Sequence, residues 1–271
     1  MLGIVLVLVF TVGFLFAPLG LGGGMLFVPI LHYIAGWPIG GELILTSLML
    51  TGVVAWGSGL VHRKEGLMDE NVVKIALRGA IPGAVLGAII VSLLDEKLDF
   101  TFKLVTMIVV GWANYKTWQK MRGSQSRTSE STNPEMDESL VTAGSSFGGL
   151  ACSSMAIGAG AIYIPVFHQY GGLRARIAIG TSLGTMMFVV PTAILSHAII
   201  LQGQLPDLLW LATLPLGVFA GATSGAKFGM RFDDSVILKI FLVLISVIFI
   251  RYGIDLTSHF LVDYERSVRI P

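Results

Sequence analysis

Gly20-Leu21-Gly22-Gly23-Gly24-Met25-Leu26-Phe27-Val28-Pro29 is the stretch on which the reading of this chain turns. It lies in the middle of an uncharged, apolar segment running from Met1 to Gly41. Glycine weakens a helix by about 1 kcal/mol per residue relative to alanine, so three in succession break one. In a membrane-spanning segment such a break frees backbone groups that lipid cannot satisfy. It is tolerated only where protein or a polar cavity covers it. A second copy follows: Ala156-Ile157-Gly158-Ala159-Gly160-Ala161-Ile162-Tyr163-Ile164-Pro165. Two matching breaks in two halves of a hydrophobic chain point to a transporter's substrate site.

The surrounding composition supports a membrane setting. The 271 residues are 54% hydrophobic and only 13% charged, with a mean hydropathy of +0.79. A soluble chain carries about a quarter charged residues. Hydrophobic segments fall at 2–16, 25–35, 43–62, 72–94 and 98–118, and again at 139–155, 161–171, 177–200, 207–229 and 234–252. Since about 20 apolar residues cross a bilayer, this predicts an all-α polytopic membrane protein. Its one cysteine, Cys152, can form no internal disulfide and belongs to no metal-type spacing. It reads as a small apolar residue in a crowded helix. No basic region precedes the first apolar run, so residues 1–16 are expected to be a retained segment rather than a cleaved signal.

The two sets of segments align. Pro29 matches Pro165, His32 matches His168 and Lys103 matches Lys239, each at a separation of 136 residues. Thr46-Ser47-Leu48 matches Thr181-Ser182-Leu183, and His62 matches His197, at 135. The expected organisation is a first transmembrane repeat over 1–118, a flexible polar linker over 119–138, a second repeat over 139–256 and a polar tail over 257–271. Each repeat has three long transmembrane helices plus a pair of short helices flanking a break. The short segments 25–35 and 161–171 reach only about 17 Å, half the hydrocarbon core. They are either re-entrant hairpins or tilted short crossings, and the hairpin is preferred because it lets two glycine-rich tips meet at the midplane.

Lysine and arginine mark the cytoplasmic loops. They cluster at Arg63, Lys64, Lys74 and Arg78, in the linker and its flank at Lys116, Lys120, Arg122 and Arg127, and at Arg174, Arg176, Lys227, Arg231 and Lys239. The basic loop after His62 corresponds to a loop after His197 that is not basic, and the reverse holds for Gly36–Glu42 against the loop carrying Arg174 and Arg176. The repeats are therefore expected to be inverted in topology, with both termini outside and the central linker in the cytoplasm.

A half-helix starting at Gly24 or Gly160 would point free N–H groups and the positive end of its dipole into the membrane, which suits an anion. The expected substrate-binding positions are Gly22, Gly23, Gly24, Gly158, Ala159 and Gly160, with hydroxyls from Thr46, Ser47, Thr181 and Ser182. Those hydroxyls have an alternative use, bonding to carbonyls of their own helices. His62 and His197 are expected either on the transport path, or in coupling, or as hydrogen-bonded structure. Arg78, Lys103, Lys239 and Arg251 are expected to snorkel to the interface. No carboxylate occupies the apolar interior of a segment, and no P-loop, HExxH or GxSxG is present. The sequence thus offers neither ATP hydrolysis nor the parts of a membrane enzyme, and no cofactor or nucleic-acid partner is called for. A secondary carrier or a channel-like facilitator remains.

The paired motifs GLGGGMLFVPIL and AIGAGAIYIPVF, each followed by a Thr-Ser-Leu helix and then a proline-bearing Gly/Ala-rich helix, resemble the sulfite exporter TauE/SafE family, also called the toluene-sulfonate uptake permease family. The resemblance covers nearly the whole chain apart from linker and tail. It implies a multi-pass plasma-membrane (inner-membrane) carrier of sulfur-containing or organic anions such as sulfite or sulfoacetate, with export as the expected direction. A carrier of non-sulfur organic anions is the alternative. Partners are then a small anion, the lipid bilayer, and a proton or sodium ion as coupling ion. Ala156 and Ala159 replace Gly20 and Gly23 in the second copy, so the two half-sites are unequal.

Overall fold

A computed structural model describes residues 1–94, 99–108, 111, 115, 136–156, 158–200, 208–229, 239, 242–243, 246–247 and 249–257. Among these residues every regular element is a helix. The order is α1 (Leu2–Phe16), α2 (Gly24–Ile34), α3 (Gly41–Lys64), α4 (Glu70–Leu94), α5 (Glu138–Met155), α6 (Gly160–Gln169), α7 (Ala175–Ile200) and α8 (Leu208–Gly229). The expected segments and observed helices agree within a few residues at each end. Linker residues 119–135 and tail residues 258–271 lie outside the described residues, as do parts of segments 98–118 and 234–252.

The helices over Gly41–Lys64, Glu70–Leu94, Ala175–Ile200 and Leu209–Phe228 are long and apolar enough to cross a membrane. Their outward faces carry Leu86, Leu195, Ile199 and Leu216, and α1 and α5 add Val7 and Phe147, all exposed. Water would drive such side chains inward, whereas hydrocarbon solvates them. The protein is a multi-pass membrane protein.

Within α2, Pro29 has no N–H to donate and crowds the carbonyl one turn back. The following turn widens, and Ile30–Ile34 is π-helical, closed by the bond from Ala35 N–H to Ile30 O at 3.1 Å. In α6, Pro165 is followed by a matching bond, Gly171 N–H to Val166 O.

The chain forms two compact units. One comprises Met1–Leu93 with Ser129–Phe232, and the other Leu94–Thr128 with Asp233–Pro271. In the first unit, Gly79, Gly83 and Gly87 of α4 lie one turn apart and face α5. A Cβ on Gly79 or Gly83 would fall on the carbonyl oxygen of Thr142 or Ser146, and one on Gly87 would stand 2.6 Å from that of Leu150. Gly221 and Gly225 of α8 approach the carbonyls of Phe10 and Phe14 on α1 just as closely, with Gly217 over Leu6. Without a hydrophobic force between helices in lipid, such close backbone contact is what holds them. The fourth helix of each half thus packs on the first helix of the other.

In the second unit, helical residues 99–108 and 249–257 carry an ionic cluster. Lys103 Nζ lies 3.1 Å from Asp99 and 3.5 Å from Asp255, and Arg251 lies 3.0 Å from Asp255. Lys103 is buried, so it does not snorkel as its sequence position suggests. Two carboxylates hold its charge inside instead, which desolvation otherwise forbids.

Candidate functional site

The breaks are built from left-handed backbone. Gly20 has φ +67°, Gly22 +76° and Gly23 +76°, conformations that a Cβ disfavours. In the second break Gly158 has φ +73° and Ala156, where the first copy has glycine, keeps the same conformation at +50°. An alanine there costs about 1–2 kcal/mol. Ala159 departs from Gly23: its φ is −78°, so the chain enters α6 by a right-handed route. The substitution that made the half-sites look unequal therefore acts on the backbone path. Past the breaks, both short helices open with the same pair of bonds. Leu26 and Phe27 N–H donate to Gly23 O, and Ile162 and Tyr163 N–H donate to Ala159 O.

At the second break the chain doubles back. Gly148 of α5 abuts Tyr163 of α6, Gly144 abuts Val166, and Asp137 N–H donates to Tyr170 O at 2.9 Å. The start of α5 and the end of α6 are thus tied together, with the break at the tip of a helical hairpin.

The two tips touch. A Cβ on Gly160 would fall on the Gly20 carbonyl oxygen, and one on Gly158 would stand 2.6 Å from that of Leu21. Glycine is required at Gly160 by this close approach, for no positive φ demands it. Two serines fasten the crossing from opposite sides. Ser47 of α3 donates to Ala156 O, and Ser182 of α7 donates to Gly20 O, both at 3.3 Å. Gly20 and Ala156 are counterparts at 136 residues and Ser47 and Ser182 at 135, so each half's long helix holds the other half's break.

The neighbouring threonines are turned elsewhere. Thr46 Oγ1 donates to Glu42 O of its own helix at 2.8 Å. Thr181 Oγ1 accepts from Asp69 N–H at 3.0 Å, fixing the loop before α4 against α7. Of the four expected hydroxyls, the structure brings Ser47 and Ser182 to the breaks and not Thr46 and Thr181.

Both site histidines are buried and reach the ends of the helices that lead into the breaks. Ser58 Oγ donates to Ala17 O at 2.7 Å, so its single proton is committed. His62 Nδ1, 3.0 Å from Ser58 O and 3.3 Å from Ser58 Oγ, must then be the donor to Ser58. His197 Nε2 meets Ser153 O directly at 2.8 Å, and its Nδ1 is buried with no hydrogen-bond partner. Ala17 and Ser153 are counterparts, so His62 reaches the Ala17 carbonyl through an intervening Ser58, while His197 meets the Ser153 carbonyl directly, with Ser153 Oγ also 3.3 Å from its Nε2. His32 and His168 sit apart from the breaks and close the turns after α2 and α6, on Trp37 O and Leu173 O.

Two residues at the crossing have no part in the sequence-derived set. Thr51 of α3 and Met186 of α7 both lie against Gly22, and Thr51 also against Gly158. Their separation of 135 residues, the same as for Ser47 and Ser182, is the signal that could have found them. A groove of about 650 Å³ between α4 and α5, lined by Arg78, Pro82, Glu138 and Ser146 among others, shares no residue with the breaks. There Arg78 pairs with Glu138 at 3.6 Å, both largely exposed.

An all-helical, multi-pass membrane protein whose broken helices meet inside a cage of long apolar ones has the architecture of a membrane transport protein. The chain matches the sulfite exporter TauE/SafE family over residues 5–252, and it belongs to that family. Membership implies a membrane transporter of sulfur-containing anions such as sulfite. The comparisons with curated proteins and with solved structures each returned no match.

Proposed function

We propose that this protein is a secondary carrier of small sulfur-containing anions, sulfite or organic sulfonates, that works by alternating access around the crossed breaks. Export is the proposed direction. The observation that carries this reading is the contact of Gly160 with the Gly20 carbonyl, held by Ser47 and Ser182 from opposite halves. The breaks leave the first N–H groups of α2 and α6, at Gly24, Met25, Gly160 and Ala161, with no carbonyl one turn back in their own helices. Those donors, with the two serine hydroxyls, are the chemistry a desolvated oxyanion needs. Gly22, Gly23, Gly24, Gly158, Ala159 and Gly160 would line this site, while Thr46 and Thr181 would support it from their present bonds.

The closed crossing favours a carrier over a channel-like facilitator, because a continuous polar path would have to pass where two backbones touch. The recurrence of hydrogen bonds at constant separation and the reversed charge pattern support two inverted repeats. The termini are then outside and the linker cytoplasmic, and the α5–α6 hairpin is re-entrant. Protonation of His62 or His197 would alter the bond each makes near a break, which makes them the coupling positions if protons drive transport. Sodium, held by break carbonyls, is the other coupling ion to test.

The test is uptake and counterflow in proteoliposomes with sulfite, thiosulfate, sulfoacetate, taurine and a carboxylate, each with and without a proton or sodium gradient. Saturable flux of the sulfur oxyanions with acceleration by substrate on the far side is expected. Flux that never saturates and shows no counterflow would establish the facilitator instead, and preference for the carboxylate would move the substrate class to non-sulfur organic anions.

A further inference from the structure

Threonine in a membrane helix normally returns its hydroxyl to the carbonyl four residues earlier, and Thr11, Thr142, Thr192 and Thr223 of this chain all do so. Thr51 does not. It is fully buried, and its Oγ1 has no hydrogen-bond partner among the described residues. Its methyl points at the crossing: a Cβ on Gly22 would stand 3.1 Å from Thr51 Cγ2, and one on Gly158 3.5 Å. An orphaned hydroxyl is costly inside a protein and worse beside hydrocarbon. The counterpart of Thr51 in the second half is Met186, whose Cε and Sδ lie against the same Gly22. One side of the crossing therefore presents the methyl of a threonine, its hydroxyl one side-chain rotation away, and the other a polarizable, apolar thioether.

We infer that Thr51 is a substrate-contacting residue and that Thr51 and Met186 together read the two ends of the transported anion. This rests on the carrier reading above. When the breaks part, rotation about the Thr51 Cα–Cβ bond exchanges methyl for hydroxyl toward Gly22 and Gly158, and threonine in a helix has two rotamers to exchange. The hydroxyl then donates to an anion oxygen. Met186 cannot donate, so it faces whatever the anion carries opposite that oxygen. An anion with an apolar substituent gains there, and a bare inorganic oxyanion does not.

The experiment measures KM and kcat for sulfite and methanesulfonate, and thermal stability, on the full chain in proteoliposomes. Thr51→Val keeps the shape and removes the hydroxyl. Loss of a hydrogen bond to a charged group predicts a KM raised about ten- to a hundredfold for both anions. The melting temperature should be unchanged or higher, since an unsatisfied hydroxyl is gone, and Thr51→Ser should restore KM. Wild-type KM in Thr51→Val overturns the assignment, and so does a lowered melting temperature without rescue by Thr51→Ser. Met186→Thr should shift the methanesulfonate-to-sulfite preference at least fivefold toward sulfite, and an unchanged ratio removes Met186 from the pair. If wild-type protein carries neither anion, the carrier reading falls and takes this inference with it. Transport by the wild type with Thr51→Val unaffected refutes Thr51 alone.

Discussion

Replacing Gly160 by alanine separates two effects that act in opposite directions. Within α6 the change favours the helix by about 1 kcal/mol. At the crossing, however, the new methyl would land on the Gly20 carbonyl oxygen, with Leu21 Cα only 2.7 Å away. These are backbone atoms, and Gly20 is further held by the bond from Ser182. They cannot swing aside as a flexible side chain would. Inserting a methyl group into a close-packed contact costs about 1–3 kcal/mol. That corresponds to about five- to 150-fold fewer molecules with the breaks in contact. If closure is a step of the transport cycle, counterflow in proteoliposomes should slow by a similar factor. The control is Gly3→Ala, where nothing lies within 4 Å of the added methyl. Wild-type counterflow in Gly160→Ala, with protein as stable as the control, would refute the claim that the contact is part of the cycle.

Three further outcomes are expected. Ser47→Ala and Ser182→Ala should each lower stability by about 0.5–1.5 kcal/mol in thermal or denaturant unfolding, because each leaves a break carbonyl without its donor. Gly83→Val and Gly221→Val should prevent normal assembly, seen as loss of monodisperse protein in detergent, since each places a branched side chain on a backbone carbonyl of the facing helix. Lys103→Met should destabilise the second unit by about 1–3 kcal/mol because Asp99 loses its cation while Asp255 keeps Arg251, and adding Asp99→Asn should recover part of the loss; equal stability of single and double variants would dispose of the Lys103–Asp99 pair as a stabilising feature.

The helices and the breaks were legible in the sequence because both depend on local composition. Runs of apolar residues fix the spans, and Gly22-Gly23-Gly24 and Gly158-Ala159-Gly160 leave no other place for the interruptions. Internal repetition also singled out Ser47 and Ser182, which do meet the breaks. What stayed hidden depends on partners far away in the chain. Thr46 and Ser47 are neighbours of similar chemistry, and only the packing turns one to its own helix and the other to the opposite break. Thr51 left only its 135-residue separation from Met186 as a trace, because a threonine in a membrane helix ordinarily satisfies itself. The burial of Lys103 depends on Asp255, which the sequence places near a polar tail. The Gly/Ala-rich composition of α4 did not show which helix Gly79, Gly83 and Gly87 would meet, because that partner, α5, lies far along the chain.

The exchange of helices at those glycines has a mechanical consequence. Because α4 grips α5 and α8 grips α1, the boundary between the sequence halves is not a boundary along which the molecule can part. Any swinging piece must take a helix from each half with it, or else pull a glycine face off a row of carbonyls. The natural moving parts are therefore mixed pairs, and cutting the chain at its linker would not yield two bodies that move independently.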